Sequence, residues 1–480
     1  MSKTLYSLLP ALLFPLFLSA QDTLLLSSPL EVYSSPLSIT APRLNFLGDG
    51  TALFTWGLSG SPRQILCSRF ENDTFSTPVS VVQGSLPPDL FGFGGFDVAV
   101  NGNQVFVVYE RLSLGIMLAR SDDGGLSFSP PVVVQSPVSG GYATLASLVL
   151  DGTGNPVVSY IVEKNGAVFQ VRRSSDGGQT FGDPVIANSA APGGQVCECC
   201  LADFVASGDS IWMIYRNNNQ NLRDIWVARS TDLAATFDVA TDVDATDWML
   251  SFCPVAGPRI TRAGNTLITA WMSGASGQER VYLSTLTADK METGIQLEFP
   301  PEVQQNKQSF ADLAASGDTT LMVFLEGTKE IVLHYSTNGP AELPMHQIRL
   351  TESDHTLQLP SIAVYDGMIH LVYVDPVSDK IQYRTGIITQ LSATNELYDV
   401  GRLTVVPNPT TGVATLQGIH EPVTSVQILN INGSLIRSES LERQHENGDV
   451  WVDMSGFCSG IYLIKVVTEG GLYTTKLFKM

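Results

Sequence analysis

Charge is scarce in this sequence, and most of it is negative. Charged residues make up 15% of the 480 positions, and 47 aspartates and glutamates outnumber 27 lysines and arginines, which gives a formal net charge of -20. A chain this acidic repels the phosphates of nucleic acids and the anionic surfaces of membranes. We therefore expect no nucleic-acid partner.

Long apolar runs are also lacking beyond the N-terminus, so we expect no membrane span in the mature protein. The first residues include Lys3, an apolar run over residues 8–18, and the small residues Ser19 and Ala20. A basic start, a short apolar run and a small-residue end are typical of a cleavable secretory signal peptide. We expect residues 1–20 to be removed and the protein to be secreted, either extracellular or attached to the cell surface.

One pattern recurs along residues 21–390. A short turn that contains glycine, aspartate or asparagine precedes a β-rich run ending on an aromatic residue, and further short apolar strands flank each run. The terminal aromatics are 49 to 56 residues apart, and they are Trp56, Tyr109, Tyr160, Tyr215, Trp271, Phe324 and Tyr373. Each copy predicts a four-stranded antiparallel meander.

A meander of about fifty residues cannot bury both of its faces alone, whereas several arranged radially can. The 42 glycines and the many β-branched residues also favour strands and turns over helices. The sequence therefore predicts an all-β fold in which residues 21–390 form a seven-bladed β-propeller. A six-bladed propeller with one imperfect copy is the alternative.

Two repeats share a turn motif at the end of the third strand, and a third repeat carries a variant that lacks a glycine. The motif residues are Ser121, Asp123, Gly125 and Phe128, then Ser174, Asp176, Gly178 and Phe181, then Ser230, Asp232 and Phe237. The aspartate can accept backbone N–H groups, the glycine supplies a positive φ, and the aromatic fills space between sheets. We therefore interpret these aspartates as structural. The motif resembles the Asp-box, or BNR repeat, of sialidases and related propellers.

Resemblance to sialidases implies an arginine triad for a substrate carboxylate, a tyrosine nucleophile polarised by a glutamate, and an aspartate acid/base. Arg43 is in register with the Arg-Ile-Pro signature of that family, although Asn45 stands where the proline belongs, and Arg259 opens the fifth repeat in a similar way. Tyr109 and Glu110 are adjacent, so they face opposite sides of a strand. The catalytic residues therefore stay unassigned.

Cysteine is rare, but four of the six cysteines fall at two equivalent positions. Cys197, Cys199 and Cys200 precede the first strand of the fourth repeat, and Cys253 precedes that of the fifth. In an oxidising extracellular destination we expect one or two disulfides, with Cys253 bonded to one of the other three. A thiolate site for copper or zinc, or redox chemistry, is the alternative.

Topology gathers these cysteines at one mouth of the predicted central channel. In a meander, the loop that enters the first strand lies at the same end as the loop between the second and third strands. The candidate ligand-binding residues at this end are Arg216, Arg223, Asp224 and Arg259, and Arg43 is a further candidate because, like Arg259, it lies on a first strand from which it can point toward the central axis. Residues 190–260 also resemble bacterial propellers described as sialidase-like. Two functions remain open: a sialidase-type exo-glycosidase, and a non-catalytic module that binds a glycan or a cell-surface protein.

The repeats stop after residue 385. Residues 391–401 read as a polar linker, and residues 402–480 predict a small β-sandwich with Gly-containing turns. This segment opens with Pro407-Asn408-Pro409 and ends with Lys476 and Lys479. It resembles the C-terminal sorting domain of type IX secretion in Bacteroidetes. The resemblance implies that the type IX machinery is a partner and that the protein reaches the outer-membrane surface or the medium.

Overall fold

The computed structural model describes residues 21–84, 86–92, 94–111, 114–351, 357–391, 403–419, 423–430, 435–440, 449–468 and 472–480. The predicted signal peptide, residues 1–20, and nearly all of the predicted linker lie outside them. The chain divides into two compact units. One is residues 28–387, and the other combines residues 388–480 with the residues before 28.

Strands account for almost all of the regular structure in the described residues, which confirms the prediction of an all-β protein. The helical segment in this part of the chain is the 3₁₀ turn Pro340–Met345. No helix among the described residues is long and apolar enough to cross a membrane.

The larger unit is built from seven antiparallel sheets within the described residues, each formed mainly by strands that are consecutive in the chain. Sheet 1 contains β3 (Ser38–Phe46), β4 (Ala52–Ser59), β5 (Gln64–Glu71), β6 (Thr74–Phe75) and β7 (Val79–Ser80). Sheet 2 contains β8 (Phe96–Asn101), β9 (Gln104–Arg111), β10 (Gly115–Ser121) and β11 (Val132–Gln135). Sheet 3 contains β12 (Tyr142–Leu150), β13 (Pro156–Glu163), β14 (Ala167–Arg173) and β15 (Val185–Ile186).

The remaining sheets follow the same order along the chain. Sheet 4 contains β16 (Asp203–Ser207), β17 (Ser210–Arg216), β18 (Ile225–Ser230) and β19 (Val239–Asp242). Sheet 5 contains β20 (Arg259–Ala263), β21 (Thr266–Ser273), β22 (Arg280–Thr287) and β23 (Thr293–Glu298). Sheet 6 contains β24 (Gln308–Ser316), β25 (Thr319–Glu326), β26 (Glu330–Ser336) and β27 (Gln347–Thr351). Sheet 7 contains β28 (Gln358–Tyr365), β29 (Met368–Asp375) and β30 (Lys380–Leu391), together with β2 (Leu30–Ser34), which pairs with β30. β1 (Gln21–Leu26) also pairs with β30, and it belongs, with the last residues of β30, to the other unit.

Each sheet packs face to face against its neighbours, which explains why its second strand is apolar on both faces. In β4, for example, seven of the eight residues are buried. The aromatics that end the repeats are all at most 2% exposed: Trp56, Tyr109, Tyr160, Tyr215, Trp271, Phe324 and Tyr373. Tyr109 of sheet 2 shares a core with Ile65 and Cys67 of sheet 1. The repeated aromatic therefore fills the space between sheets.

The first strands of the seven sheets contact one another in chain order. β3 contacts β8, β8 contacts β12, β12 contacts β16, and the same relation holds from β16 through β20 and β24 to β28. β28 in turn contacts β3, so the succession of neighbouring first strands returns to its start.

The C-terminal residues form two further antiparallel sheets. One contains β31 (Thr404–Val406), β32 (Val413–Gln417) and β35 (Val450–Asp453), and the other contains β33 (Val423–Leu429), β34 (Leu435–Ser440), β36 (Gly460–Thr468) and β37 (Leu472–Lys479). Leu416 and Val452 of the first sheet share a buried cluster with Ile464 and Leu477 of the second. The two sheets therefore enclose one apolar core.

Candidate functional site

Four of the first strands carry a β-bulge close to where they begin. In β3, β12, β24 and β28 the pairing with the second strand shifts register. Each bulge places a non-glycine residue at positive φ: Ala41 at 44°, Leu145 at 54°, Phe310 at 53° and Leu359 at 50°. Such backbone costs on the order of 1 kcal/mol or more, and bulges often re-aim side chains beside binding sites. Their recurrence marks this end of the first strands as a candidate site.

Two predicted ligand-binding arginines lie at this end. Arg43 lies two residues after the bulged Ala41 in β3, and Arg259 begins β20. Arg43 Nε is 3.9 Å from Asp97 Oδ1, and Arg259 Nε is 3.5 Å from Asp312 Oδ1. The four side chains remain 18 to 24% exposed, so both ion pairs border solvent.

Aspartates at this end also join neighbouring first strands. The same hydrogen bond recurs three times, as the backbone N–H groups of Leu148, Ile260 and Ile362 donate to Asp97 at 2.9 Å, Asp203 at 2.9 Å and Asp312 at 3.0 Å. The sequence analysis did not single out these aspartates. Asp97 is the second residue of β8, Asp203 the first of β16 and Asp312 the fifth of β24, and no sequence pattern reveals that each has a backbone partner in the next sheet.

Burial governs the charge of these groups. It raises the pKa of Asp203 to about 6, with the charge of Arg259 acting against it. It also raises the pKa of Asp97, opposed first by Arg43. Burial and then the charge of Arg259 lower the pKa of Arg43, so the two guanidinium groups are close enough to repel each other. The carboxylates of Asp97, Asp312 and Asp203 oppose this lowering of the Arg43 pKa.

Arg43 and Arg259 line a single cavity. Its wall also includes Leu201, Val255, Phe310 and Leu359. Leu201 directly follows the first cysteine group, and Val255 lies two residues after Cys253. The two loops that carry the cysteines therefore also contribute residues to the wall of the cavity that holds the two arginines.

The four predicted cysteines come together in the structure. Cys199 and Cys253 form a disulfide across 54 sequence positions, with Cα atoms 6.2 Å apart. Cys197 and Cys200 are free and buried, and their sulfur atoms are 2.9 Å apart. Cys197 Sγ is also 3.5 Å from Cys199 Sγ. Three of the sulfurs, those of Cys197, Cys199 and Cys253, lie within 4.8 Å of one another, a spacing compatible with a thiolate metal site if the disulfide is reduced.

Arg223 is the main polar neighbour of this cluster. Its Nη1 atom lies 3.1 Å from Cys197 Sγ and 3.1 Å from Glu198 Oε2, and its Nε donates to the Leu250 carbonyl at 2.9 Å. The pKa of Cys197 is lowered to about 7, chiefly by the hydrogen bond from the Cys200 thiol, with burial opposing and Arg216 and Arg223 assisting. Of the two free cysteines in this cluster, Cys197 therefore ionises to a thiolate more readily than Cys200.

Arg216 and Asp224 have structural partners rather than an open face. Arg216 is fully buried, donates to the carbonyls of Arg223 at 2.9 Å and Met272 at 2.6 Å, and stacks over the Trp248 ring. Asp224 accepts the Trp248 N–H at 3.1 Å. Among the predicted ligand-binding residues, Arg43 and Arg259 line the cavity, whereas Arg216, Arg223 and Asp224 support the adjoining loops.

The three Ser-x-Asp hairpins (residues 121–128, 174–181 and 230–237) have one hydrogen-bond pattern. In the first, Ser121 Oγ donates to Asp123 Oδ1 at 2.7 Å, Gly125 N–H donates to Ser121 Oγ at 2.8 Å, and Ser127 N–H donates to Asp123 Oδ1 at 2.9 Å. The second and third hairpins repeat these contacts. Hydrogen bonds from Ser127 and Ser121 outweigh burial and lower the pKa of Asp123 to about 2. The carboxylates are occupied by their own turns.

A tyrosine and glutamate pair was missed by the sequence analysis. Tyr142 begins β12, lies opposite Glu163 at the end of β13, and donates a hydrogen bond from its hydroxyl to the Glu163 carboxylate. Tyr109 and Glu110, by contrast, have separate environments: Tyr109 is fully buried between sheets, and Glu110 accepts the Thr144 hydroxyl at 2.7 Å. The pairing of Tyr142 with Glu163 depends on hairpin register, for which the sequence carries no local signal.

Residues 404–480 match a protein family described as the Secretion system C-terminal sorting domain. This confirms the predicted sorting domain and identifies the protein as one exported by type IX secretion to the cell surface or the medium. No curated protein matches the chain by sequence.

Several solved structures resemble the chain at low sequence identity. An ulvan lyase from a new family of polysaccharide lyase, bound to -[GlcA(1-4)Rha3S]-, aligns with a TM-score of 0.50 and 12% identity over 74% of this chain and 95% of that one. A Hadza microbial sialidase aligns at 0.42 and 15% identity over 74% and 66%, and a protein of unknown function from Dyadobacter fermentans at 0.46 and 10% over 76% and 99%. The ulvan lyase similarity indicates a related fold.

Proposed function

We propose that the larger unit is a closed seven-bladed β-propeller with Asp-box hairpins, and that type IX export delivers it as a glycan-binding module. The returning succession of first strands, from β28 to β3, supports closure with one blade per sheet. The shared hydrogen bonds of the three Ser-x-Asp hairpins support their assignment as Asp-boxes.

The observation that carries the proposal is the convergence of Arg43 and Arg259 in one cavity. Both ion pairs with aspartate engage Nε, and Arg43 Nη1 also donates to the Pro42 carbonyl at 3.4 Å, so Arg43 Nη2 and the terminal nitrogens of Arg259 are the donors that we propose for a ligand. Paired guanidinium donors suit a planar carboxylate, the group that distinguishes uronic and sialic acids from neutral sugars. Phe310 and Leu359 add the apolar surface that a sugar-binding cavity usually includes. The ligand class is therefore an acidic glycan.

Binding is favoured over hydrolysis because the cavity lacks the rest of a sialidase site. Among the described residues that line it, Arg43 and Arg259 have no third arginine beside them. Arg43 is paired with Asp97 and Arg259 with Asp312, so the charge of each arginine is neutralised by an aspartate. An arginine triad that binds a substrate carboxylate would instead carry a net positive charge. No tyrosine or glutamate belongs to the described lining.

Binding of the mature protein to matched acidic and neutral glycans tests this proposal. Acidic glycans should bind, and Arg43→Gln and Arg259→Gln should each weaken binding by about tenfold or more, because a charge-assisted hydrogen bond contributes about 1.5–3 kcal/mol. Arg120→Gln is the matched control, since Arg120 contacts the Gly177 carbonyl beside an Asp-box hairpin. Equal affinity for neutral glycans, or unchanged affinity in both cavity variants, contradicts the proposal.

The Tyr142–Glu163 pair favours one second candidate, a retaining glycoside hydrolase. A tyrosine hydroxyl hydrogen-bonded to a glutamate is the nucleophile arrangement implied by the sialidase resemblance. Release of the fluorophore from a fluorogenic sialoside by the wild-type protein, abolished in Tyr142→Phe, would favour hydrolysis. Acidic-glycan binding without release favours the binding module.

A further inference from the structure

The sulfur atoms of four cysteines form a chain in which each sulfur contacts the next, in the two loops that contribute to the cavity wall. Cys200 Sγ is 2.9 Å from Cys197 Sγ, Cys197 Sγ is 3.5 Å from Cys199 Sγ, and Cys199 is bonded to Cys253. We propose that these cysteines form a thiol–disulfide exchange centre, in which one disulfide moves between the Cys199–Cys253 pair and the Cys197–Cys200 pair.

The first step is attack by the Cys197 thiolate on Cys199 Sγ. A Cys197–Cys199 bond forms, the Cys199–Cys253 bond breaks, and the bonding electron pair leaves with Cys253, which takes up the proton that Cys197 released. The 3.5 Å separation of the Cys197 and Cys199 sulfurs already brings nucleophile and target into van der Waals contact.

The second step resolves the intermediate. Cys200, whose sulfur is 2.9 Å from that of Cys197, attacks Cys197 as a thiolate, so a Cys197–Cys200 bond forms and Cys199 leaves. The proton that Cys200 releases passes to Cys199. One disulfide and two thiols exist before and after the two steps. Two electrons pass from the Cys197–Cys200 pair to the Cys199–Cys253 pair, and no external oxidant or reductant is required.

The polar surroundings favour Cys197 as the attacking group. Arg223 Nη1 is 3.1 Å from its sulfur, and a neighbouring guanidinium stabilises a thiolate. The Cys200 thiol donates a hydrogen bond to Cys197, while burial raises the pKa of Cys200 itself. Cys197 therefore ionises first and Cys200 is held for the second step.

The two cysteine pairs that exchange the disulfide differ in their exposure to solvent. Cys197 is fully buried and Cys200 is 1% exposed, whereas Cys199 and Cys253 are both partly exposed. A disulfide at Cys199–Cys253 ties the loop before β16 to the loop before β20, and Leu201 and Val255 of these loops line the arginine cavity. Transfer of the bond to Cys197–Cys200 releases this tie and presents two thiols to solvent.

The positions of the disulfide in the metal-free mature protein test the proposal. Samples are held at a series of pH values, quenched with acid and alkylated with a maleimide, and the disulfides are located by mass spectrometry of peptic peptides. We expect both the Cys199–Cys253 and the Cys197–Cys200 isomers in the wild-type protein. The exchange rate should rise with pH, because each step requires a cysteine thiolate as the attacking group.

Single substitutions separate the two steps. Cys200→Ser should accumulate the Cys197–Cys199 intermediate with Cys253 alkylated, and Cys197→Ser should retain only Cys199–Cys253. Cys458→Ser, at an exposed cysteine outside the group, is the control and should match the wild-type pattern. The wild-type measurement needs no substitution, so a variant that fails to fold does not remove the test.

Three outcomes would overturn the proposal. The first is Cys199–Cys253 as the sole disulfide in the wild-type protein at every pH, with Cys197 and Cys200 both alkylated. The second is a pair of disulfides that leaves no thiol among the four cysteines. The third is a protein purified with one equivalent of zinc or copper that protects the thiols from alkylation until the metal is removed.

Discussion

The carboxyl group of Asp224 shows how the fold changes the chemistry of one residue. The side chain is 3% exposed and accepts the backbone N–H of Trp248 at 3.1 Å. Burial, followed by the negative charges of Asp242 and Asp244, raises its pKa to about 7. Because the unfolded chain gives an aspartate a pKa near 4, ionisation of Asp224 disfavours the folded state.

Asp224→Asn should therefore change the pH dependence of stability. A raised folded-state pKa contributes stability that is fully present below the unfolded value and is lost as pH rises through about 7. We expect the free energy of unfolding of the wild-type protein, relative to that of the variant, to fall by roughly 4 kcal/mol between about pH 4 and pH 8. The asparagine keeps an oxygen acceptor for Trp248.

Urea unfolding of both proteins across this pH range measures the effect. Asp183→Asn, at an exposed aspartate between β14 and β15, serves as the control for the loss of a carboxylate. Parallel pH profiles for wild type and Asp224→Asn would contradict the assignment of a raised pKa.

At the scale of the element, the three Ser-x-Asp hairpins adopt the same left-handed backbone conformation whether or not the turn residues are glycines. The first has Gly124 and Gly125 at φ values of 71° and 86°, whereas the third has Leu233 and Ala234 at 59° and 64°. The third hairpin still forms the hydrogen bond from Ala234 N–H to Ser230 Oγ at 2.9 Å. The contacts of Ser230 and Asp232 therefore hold two non-glycine residues in left-handed backbone.

Leu233→Gly should be more stable than Leu233→Ala. Both variants lose the leucine side chain, but only the glycine is free of the steric cost of positive φ, which we expect to favour it by about 1 kcal/mol. Comparison of the two unfolding free energies isolates the backbone effect from the lost contacts. An alanine variant as stable as the glycine variant would show that the hairpin relaxes to another conformation.

At the scale of the larger unit, sheet 7 combines strands from both ends of that unit. β2 pairs with β30, and Val32 of β2 is 7% exposed within a cluster that includes Trp56 of sheet 1 and Tyr383 of β30. A strand from the start of the unit thus covers the last strand of the final sheet. In the proposed propeller this pairing stabilises the closed ring of sheets, because β2 covers the edge of β30 that would otherwise have unpaired backbone groups.

Val32→Asp should strongly destabilise the larger unit. It places an unpaired carboxylate in an apolar cluster, which we expect to lower the free energy of unfolding by about 3 kcal/mol. Leu30→Asp alters the same strand at a residue that is 45% exposed, and it should cost under about 1 kcal/mol. Urea unfolding followed by tryptophan fluorescence compares them. Similar losses for the two variants would mean that β2 does not seal the sheet.

The sequence alone was enough to predict the all-β class, the repeated four-stranded units, the Ser-x-Asp turns and the C-terminal sorting domain. These features rest on local information: strand alternation, turn residues at fixed spacing and motifs contained in one short segment. It also predicted that the four cysteines and Arg223 lie at the same end of the sheets, because equivalent positions of successive repeats share that end.

The tertiary structure alone decided which of these residues touch. It bonds Cys199 to Cys253 while placing Cys197 against Cys200, sets Tyr142 opposite Glu163, and joins Asp97 to Arg43. These contacts depend on strand register and on the bulges in the first strands, since a shift of one residue turns every side chain of a strand to the other face. Strand register is set by packing between neighbouring sheets whose residues are about fifty positions apart in the sequence, so a local sequence pattern cannot predict it.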